Sequence, residues 1–227
     1  MPVKGNGISV RAGGAAPACA ECCAEKHEDM RWRLYDAALS LFSEKGYAAT
    51  SVREIVKRAG VTAPVLYYYF GNKEGLYLEL MGEALKAFRA VMTGARESEK
   101  SARERILAVS GGLVELCRSE VRIAKIINAF LYGPQQGAPV FDFDQFHDEI
   151  FGTVRSIVEE GAASGEFGGE HIEASVWALL GVIGICVDSV LLMPGREISR
   201  ERMEEVFGVI FRGMEPLRKS GKRTGHG

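Results

Sequence analysis

From Leu34 to Phe70, apolar residues return at helical spacing in three short runs. Leu34, Ala38, Leu41 and Phe42 share one helix face, Val52, Ile55, Val56 and Ala59 a second, and Leu66, Tyr69 and Phe70 a third. Lys45-Gly46-Tyr47 parts the first two runs, its glycine ending a helix. Thr50 and Ser51 open the second run, and Ser51-x-x-Glu54 fits a capping box, in which hydroxyl and carboxylate each bind the other residue's amide. Ala59-Gly60-Val61-Thr62 parts the second and third runs, with Gly60 as the stop and Thr62 expected to cap the third helix. Pro64 falls in the first turn, where no amide donor is missed. Two short helices about a turn of ~3–4 residues containing a glycine make a helix-turn-helix. The third helix is too short to stand alone, so one side packs on the other two and the opposite side is free. That free side carries Thr62, Ala63, Pro64, Tyr67 and Tyr68, with no acid between Thr62 and Asn72. Such a surface can enter a major groove without repelling phosphate. Asn72 is placed to cap a fourth helix, whose first amides and Lys73 make an expected anion site.

The periodicity continues as helices from Lys73 to about Met92, from Ile106 to about Cys117, and over Val121–Tyr132, Phe141–Gly161, His171–Met193 and Ser199–Met214. Thr93 to Ser101 is polar and breaks the pattern. No period-2 strand occurs, which predicts an all-α fold of about nine helices. Residues 1–29, rich in glycine and proline before Cys19, read as a disordered tail. Residues 30–75 form a three-helix DNA-binding head (helix-turn-helix about 51–70), 76–217 a ligand-binding and dimerisation body, and 218–227 a basic mobile tail. The fourth helix runs from head into body, so a change in the body reaches the head through that rod.

Residues 171–193 are apolar nearly all round, and Gly181 and Gly184 allow another helix to approach closely. Residues 199–214 are amphipathic, with Met203, Val206, Phe207, Ile210 and Phe211 on one side. Repeated by a two-fold axis, this pair makes a four-helix bundle between subunits; alone, it completes a monomer core. Leu113, Cys117, Ile127, Phe130, Leu131, Phe151 and Trp177 are the candidate wall of an effector pocket, and each also suits plain core packing.

The formal charge of -2 excludes a uniformly basic nucleic-acid binder, but its distribution is uneven. Residues 31–90 hold nine Lys/Arg against six Asp/Glu, and residues 91–227 hold 16 against 20, a basic head on an acidic body. The longest apolar run, Val176 to Val187, is too short to cross a bilayer, and no secretory signal is seen, so a cytoplasmic protein is expected. Five cysteines, an odd number, argue for a reducing compartment without a disulfide frame. Cys19, Cys22, Cys23 and His27, spaced C-x2-C-C-x3-H, can chelate a thiophilic metal or oxidise, which leaves a thiol- or metal-responsive alternative; a solvated extension is the plainer reading. No G-x-S-x-G, H-E-x-x-H, phosphate loop or dinucleotide fingerprint occurs, so neither an enzyme nor a cofactor is expected.

The run A-x-x-L-F-x-x-x-G-Y-x-x-T-S-V-x-x-I-x-x-x-A-G-V from Ala38 to Val61, then L-Y-x-Y-F at Leu66 to Phe70 and N-K-E at Asn72 to Glu74, resembles the DNA-binding domain of TetR-family transcriptional regulators. The resemblance implies a homodimer joined through residues 171–193 and 199–214, binding a palindromic double-stranded DNA operator, with a small-molecule effector in the body and repression as the usual outcome. It assigns Thr62, Ala63, Pro64 and Val65 to base edges, and Thr50, Ser51, Tyr67, Tyr68 and Lys73 to phosphates. Ala63 stands where the family commonly has lysine and Pro64 where it has glycine or alanine, which favours apolar contact with thymine methyls there.

Overall fold

The computed structural model describes residues 18–132, 137–193 and 195–216, with side chains from Glu28 onward. Among them every regular element is a helix: α1 (Ala18–Lys45), α2 (Val52–Ala59), α3 (Ala63–Phe70), α4 (Lys73–Arg96), α5 (Ala102–Ser119), α6 (Val121–Tyr132), α7 (Asp144–Ala163), α8 (Ile172–Leu192) and α9 (Arg200–Gly213). The tail expected over residues 1–29 is helical from Ala18 onward. Ala18 to Asp29 contain no glycine or proline and several good helix formers, so nothing local stops α1 from starting there.

Two apolar clusters organise the chain. The first joins Leu34, Ala38 and Phe42 of α1, Ile55 of α2 and Leu66 and Phe70 of α3 to Leu76, Tyr77, Leu80 and Met81 of α4. The second joins Leu85, Phe88, Met92 and Ala95 of α4 to α5, α7, α8 and α9. α4 therefore belongs to both, as a rod running from head to body. It extends past the expected stop near Met92 because Ala95 continues the buried stripe. The head has a second attachment: Ile126 of α6 and Phe143, just before α7, are buried in its cluster. α4 thus shares the link between body and head with α6 and the segment before α7.

α8 is 21 residues, long and apolar enough by length and composition to cross a membrane, contrary to the expectation from Val176 to Val187 alone. It packs on α5, α6, α7 and α9 instead. Val176, Leu179, Ile183 and Cys186 enter the core, while Trp177, Ile185 and Leu192 stay at least half exposed.

Candidate nucleic-acid interface

The helix-turn-helix is set by local chemistry. Ser51 caps α2 with both bonds of the capping box in place, and Gly60 ends it in the left-handed region at φ 65°. Only glycine adopts that conformation freely, and a Cβ there would also strike the Arg33 guanidinium. Lys45 reaches the same carboxylate, Nζ to Glu54 Oε1 at 2.5 Å. That hydrogen bond, reinforced by the Ser51 amide and hydroxyl, pulls the Glu54 carboxyl down to about 2. Thr62 has the backbone of a cap, but its hydroxyl accepts no amide. A cap binds the second or third amide of the helix. Pro64 has removed the second, and the third, on Val65, bonds the Thr62 carbonyl at 3.1 Å. The Thr62 hydroxyl is thereby left exposed and available to a partner.

α3 turns Leu66 and Phe70 into the head core and leaves Tyr67 51% and Tyr68 74% exposed. Thr62 and Pro64 are exposed on its first turn, and Ala63 is half-buried. Val65, expected at the base edges, is half-buried and packs on the head cluster, so its side chain is largely committed inward. Two residues from α1 brace this unit. Arg33 Nη2 donates to the Gly60 carbonyl at 3.4 Å. Arg31 pairs with Glu79 and lies 5.6 Å from the Phe70 ring centre.

Two expected phosphate ligands have other roles. Thr50 is buried, and its hydroxyl donates to the Gly46 carbonyl at 2.8 Å, closing the turn after α1. Lys73 is half-buried, with Nζ donating to the Thr50 carbonyl at 2.8 Å and the Tyr47 carbonyl at 3.0 Å. The same ammonium lies 3.9 Å from the Tyr47 ring centre, and burial lowers its pKa. It is a brace between the start of α4 and the turn before α2. Ser51 stays exposed, though its hydroxyl already serves Glu54. Arg53 and Lys57, one turn apart on the exposed side of α2, make no ion pair among the described residues. Neither is among the phosphate ligands expected from sequence, although two cations four residues apart on the polar face of α2 were a readable signal.

The seven candidate pocket residues do not converge. Leu113 is buried in the body core, and Phe151 packs half-buried beside it. Trp177 meets Phe151 edge-on at 5.6 Å but is 62% exposed, so it is not an interior wall. Ile127 packs on the head cluster, Phe130 stacks on Phe143 at 4.0 Å, and Leu131 is exposed. These three lie along α6, which packs on α1 as well as on α8 and gives Ile126 and Ile127 to the head cluster. Cys117 is half-buried, and burial, with Asp188 nearby, pushes its thiol up to about 11. A groove of about 660 Å³ lies instead between α5 and α9, lined by Leu107, Val114 and Met203 together with charged residues, Glu115, Arg118 and Arg200 among them. A second, of about 400 Å³, lies beside Ile185, Met193 and Ile198. The side chains of Cys19, Cys22, Cys23 and His27 lie outside the described residues.

Residues 34–80 match the family described as bacterial regulatory proteins, tetR family. The HTH-type transcriptional regulator RutR of Escherichia coli O157:H7 is 24% identical over 202 residues, covering 81% of this chain and 89% of that relative. Among solved structures, the TetR family transcriptional regulator PfmR from Thermus thermophilus has a TM-score of 0.63 at 22% identity, over 81% of this chain and 99% of that one. The transcriptional regulator FadR from Bacillus subtilis, solved in complex with stearoyl-CoA, has a TM-score of 0.61 at 19% identity, over 82% and 100%.

Proposed function

We propose, on the match of residues 34–80 and the fold of the whole, that this chain is a TetR-family transcriptional regulator acting as a homodimeric repressor released by a small-molecule effector. The carrying observation is the face of α3: two exposed tyrosines, Thr62 and Pro64, no acid, and an inner side locked into the head. A helix of that width fits the major groove, with Thr62 and the Pro64 ring at base edges and Tyr67 and Tyr68 toward the backbone. Arg53, Lys57 and the exposed Ser51 at the start of α2 neutralise or bond adjacent phosphates. The basic head meets the DNA and the acidic body stays away from it.

The dimer is supported by what α8 leaves outside. Trp177, Ile185 and Leu192 of α8 and Val209 of α9 are each at least half exposed, and Gly181 and Gly184 are exposed between them. Large apolar side chains left outside along these two helices are suited to burial against a second copy. Packing two α8–α9 pairs about a two-fold axis covers it and sets two heads ~34–36 Å apart, one turn of duplex. The effector is a small molecule taken up by the body, where Leu113, Phe151 and Cys117 remain the interior candidates and the separate groove between α5 and α9 offers apolar and charged groups together. FadR of Bacillus subtilis, bound to stearoyl-CoA, supports an acyl-bearing class. The site of action is cytoplasmic DNA.

The test begins with selection of a duplex from a random library by the purified protein. Fluorescence anisotropy then follows binding against salt, and sedimentation the mass of the free protein. A palindromic winner bound by a dimer, with affinity falling linearly in log salt, is the expected result. A monomer with no affinity for any duplex at low salt refutes it.

A further inference from the structure

The junction between α5 and α6 is one residue long. Glu120 alone separates them, at φ -143° and ψ 72°, and turns the chain from the body core onto the head. Its carboxylate is gripped by Arg122 in a fork, Nε to Oε1 at 2.8 Å and Nη2 to Oε2 at 2.7 Å. The remaining nitrogen of that guanidinium reaches across to α1, where Nη1 donates to Asp36 Oδ1 at 2.7 Å and Ser40 Oγ at 2.9 Å. Asp36 and Ser40 stand one turn apart on α1, so a single planar group spans them and the corner together. All three charged side chains are about one-third exposed, which leaves the joint screened but not dissolved by solvent. Arginine suits this place because its donors are fixed in one plane; an ammonium cannot hold two carboxylates and a hydroxyl in set directions.

The corner is also tied on its body side. Arg118, in the last turn of α5, donates to the Ile198 carbonyl in the segment between α8 and α9 at 3.3 Å. Arg118 and Ile198 both line the groove between α5 and α9. Arg118 and Arg122 therefore flank the Glu120 corner, one bonded to the α8–α9 segment and the other to α1.

We propose that Arg122 is a positioning residue for operator binding: by joining Glu120 to Asp36 and Ser40 it sets the angle of the head on the body, apart from the α4 rod. The inference rests on the reading of this chain as a dimeric DNA-binding regulator. A palindrome demands two heads at one spacing and orientation, whereas non-specific contact needs only one basic head on any phosphates. Loosening the joint thus lowers operator affinity and leaves non-specific affinity alone.

The experiment compares the wild type with Arg122→Gln, Arg122→Lys, Asp36→Asn, Ser40→Ala and the Arg122→Gln/Asp36→Asn double variant. The probes are the selected operator and a scrambled duplex of equal length, each titrated by anisotropy. Thermal midpoints and the oligomeric state are read in parallel. The expected loss of operator affinity is ~10-fold for Arg122→Gln and Asp36→Asn, within the usual range for coupling between sites. The double variant is no more than about twofold worse than either single, because both open one joint. Arg122→Lys and Ser40→Ala fall between these and the wild type. Scrambled-duplex affinity and its salt slope stay unchanged throughout. Operator affinity within twofold of wild type in both Arg122→Gln and Asp36→Asn overturns the proposal. So does a parallel fall on operator and scrambled duplex, which marks a damaged head, and so does full additivity in the double variant. If Arg122→Gln does not fold, Asp36→Asn and Ser40→Ala decide on the same criteria. Wild-type protein that binds no duplex overturns both this proposal and the function it rests on; wild-type binding matched by every variant overturns this one alone.

Discussion

Lys73→Met separates two accounts of one ammonium, because it keeps most of the apolar stem and deletes the charge. In the structure Nζ donates to the carbonyls of Thr50 and Tyr47 and sits 3.9 Å from the Tyr47 ring centre. Hydrogen bonds to a charged group contribute ~1.5–3 kcal/mol each, and a half-exposed cation–π contact contributes ~0.5–1 kcal/mol. Against them stands the cost of desolvating the ammonium, visible in the lowered Lys73 pKa. Both carbonyls lose the ammonium, but that of Tyr47 keeps the Thr50 amide at 3.1 Å. The net expectation is a loss of about 3 kcal/mol. For a chain of this size that lowers the thermal midpoint by ~6–12 °C. Circular dichroism melts give the midpoint, and anisotropy titrations from low to moderate salt give the slope of log affinity on log salt. A brace predicts a fallen midpoint and an unchanged slope. A phosphate ligand predicts the reverse, an unchanged midpoint and a slope shallower by ~0.9. That second pattern refutes the assignment of Lys73 as a brace.

Arg53→Ala, removing an exposed cation without an ion pair among the described residues, is expected to weaken binding to every duplex alike and reduce the salt slope by about 1; a loss confined to the operator would assign Arg53 to base readout instead. Ile185→Glu places a carboxylate in the exposed stripe of α8, and sedimentation equilibrium should show a dimer dissociation constant raised by ~100-fold or more, since an unpaired charge is costly to bury; an intact dimer would move the interface elsewhere. Glu54 is held at about 2, so its capping contribution is present above the ordinary value of 4.5 and is lost as pH falls through about 2. Melts of Glu54→Gln should accordingly lie below wild type at neutral pH and converge with it near pH 2; a gap that persists there would mean the carboxylate charge is not what the cap uses.

Local chemistry accounts for what was legible from residues alone. Helix ends are written in neighbours three or four positions apart. Ser51 with Glu54, Gly60, and Asn72 bonding the Gly75 amide all stand where the pattern of caps and stops expected them. The exposed face of α3 followed from the spacing of Leu66 and Phe70, because a helix that buries one stripe presents the other. Thr62 marks the limit of that logic: the residue type is right for a cap, but Pro64 and the Val65 amide left it nothing to bind.

What only tertiary structure decided is which side chains spend their polar groups at home. Lys73 lies 23 residues from the Thr50 carbonyl that it binds and 26 from that of Tyr47. Arg122 lies 86 residues from Asp36. No window along the chain contains such pairs, so a lysine at a helix start reads as a phosphate ligand until the fold brings carbonyls against it. The pocket candidates dispersed for the same reason. Periodicity shows that Ile127 and Phe130 of α6 have an apolar side, but whether that side meets the head or the body depends on the turn at Glu120. The amino-acid order determined the helices, their caps and the exposed face of α3, since those arise within a few residues; the packing of distant helices determined which charges stay exposed and how the head is held.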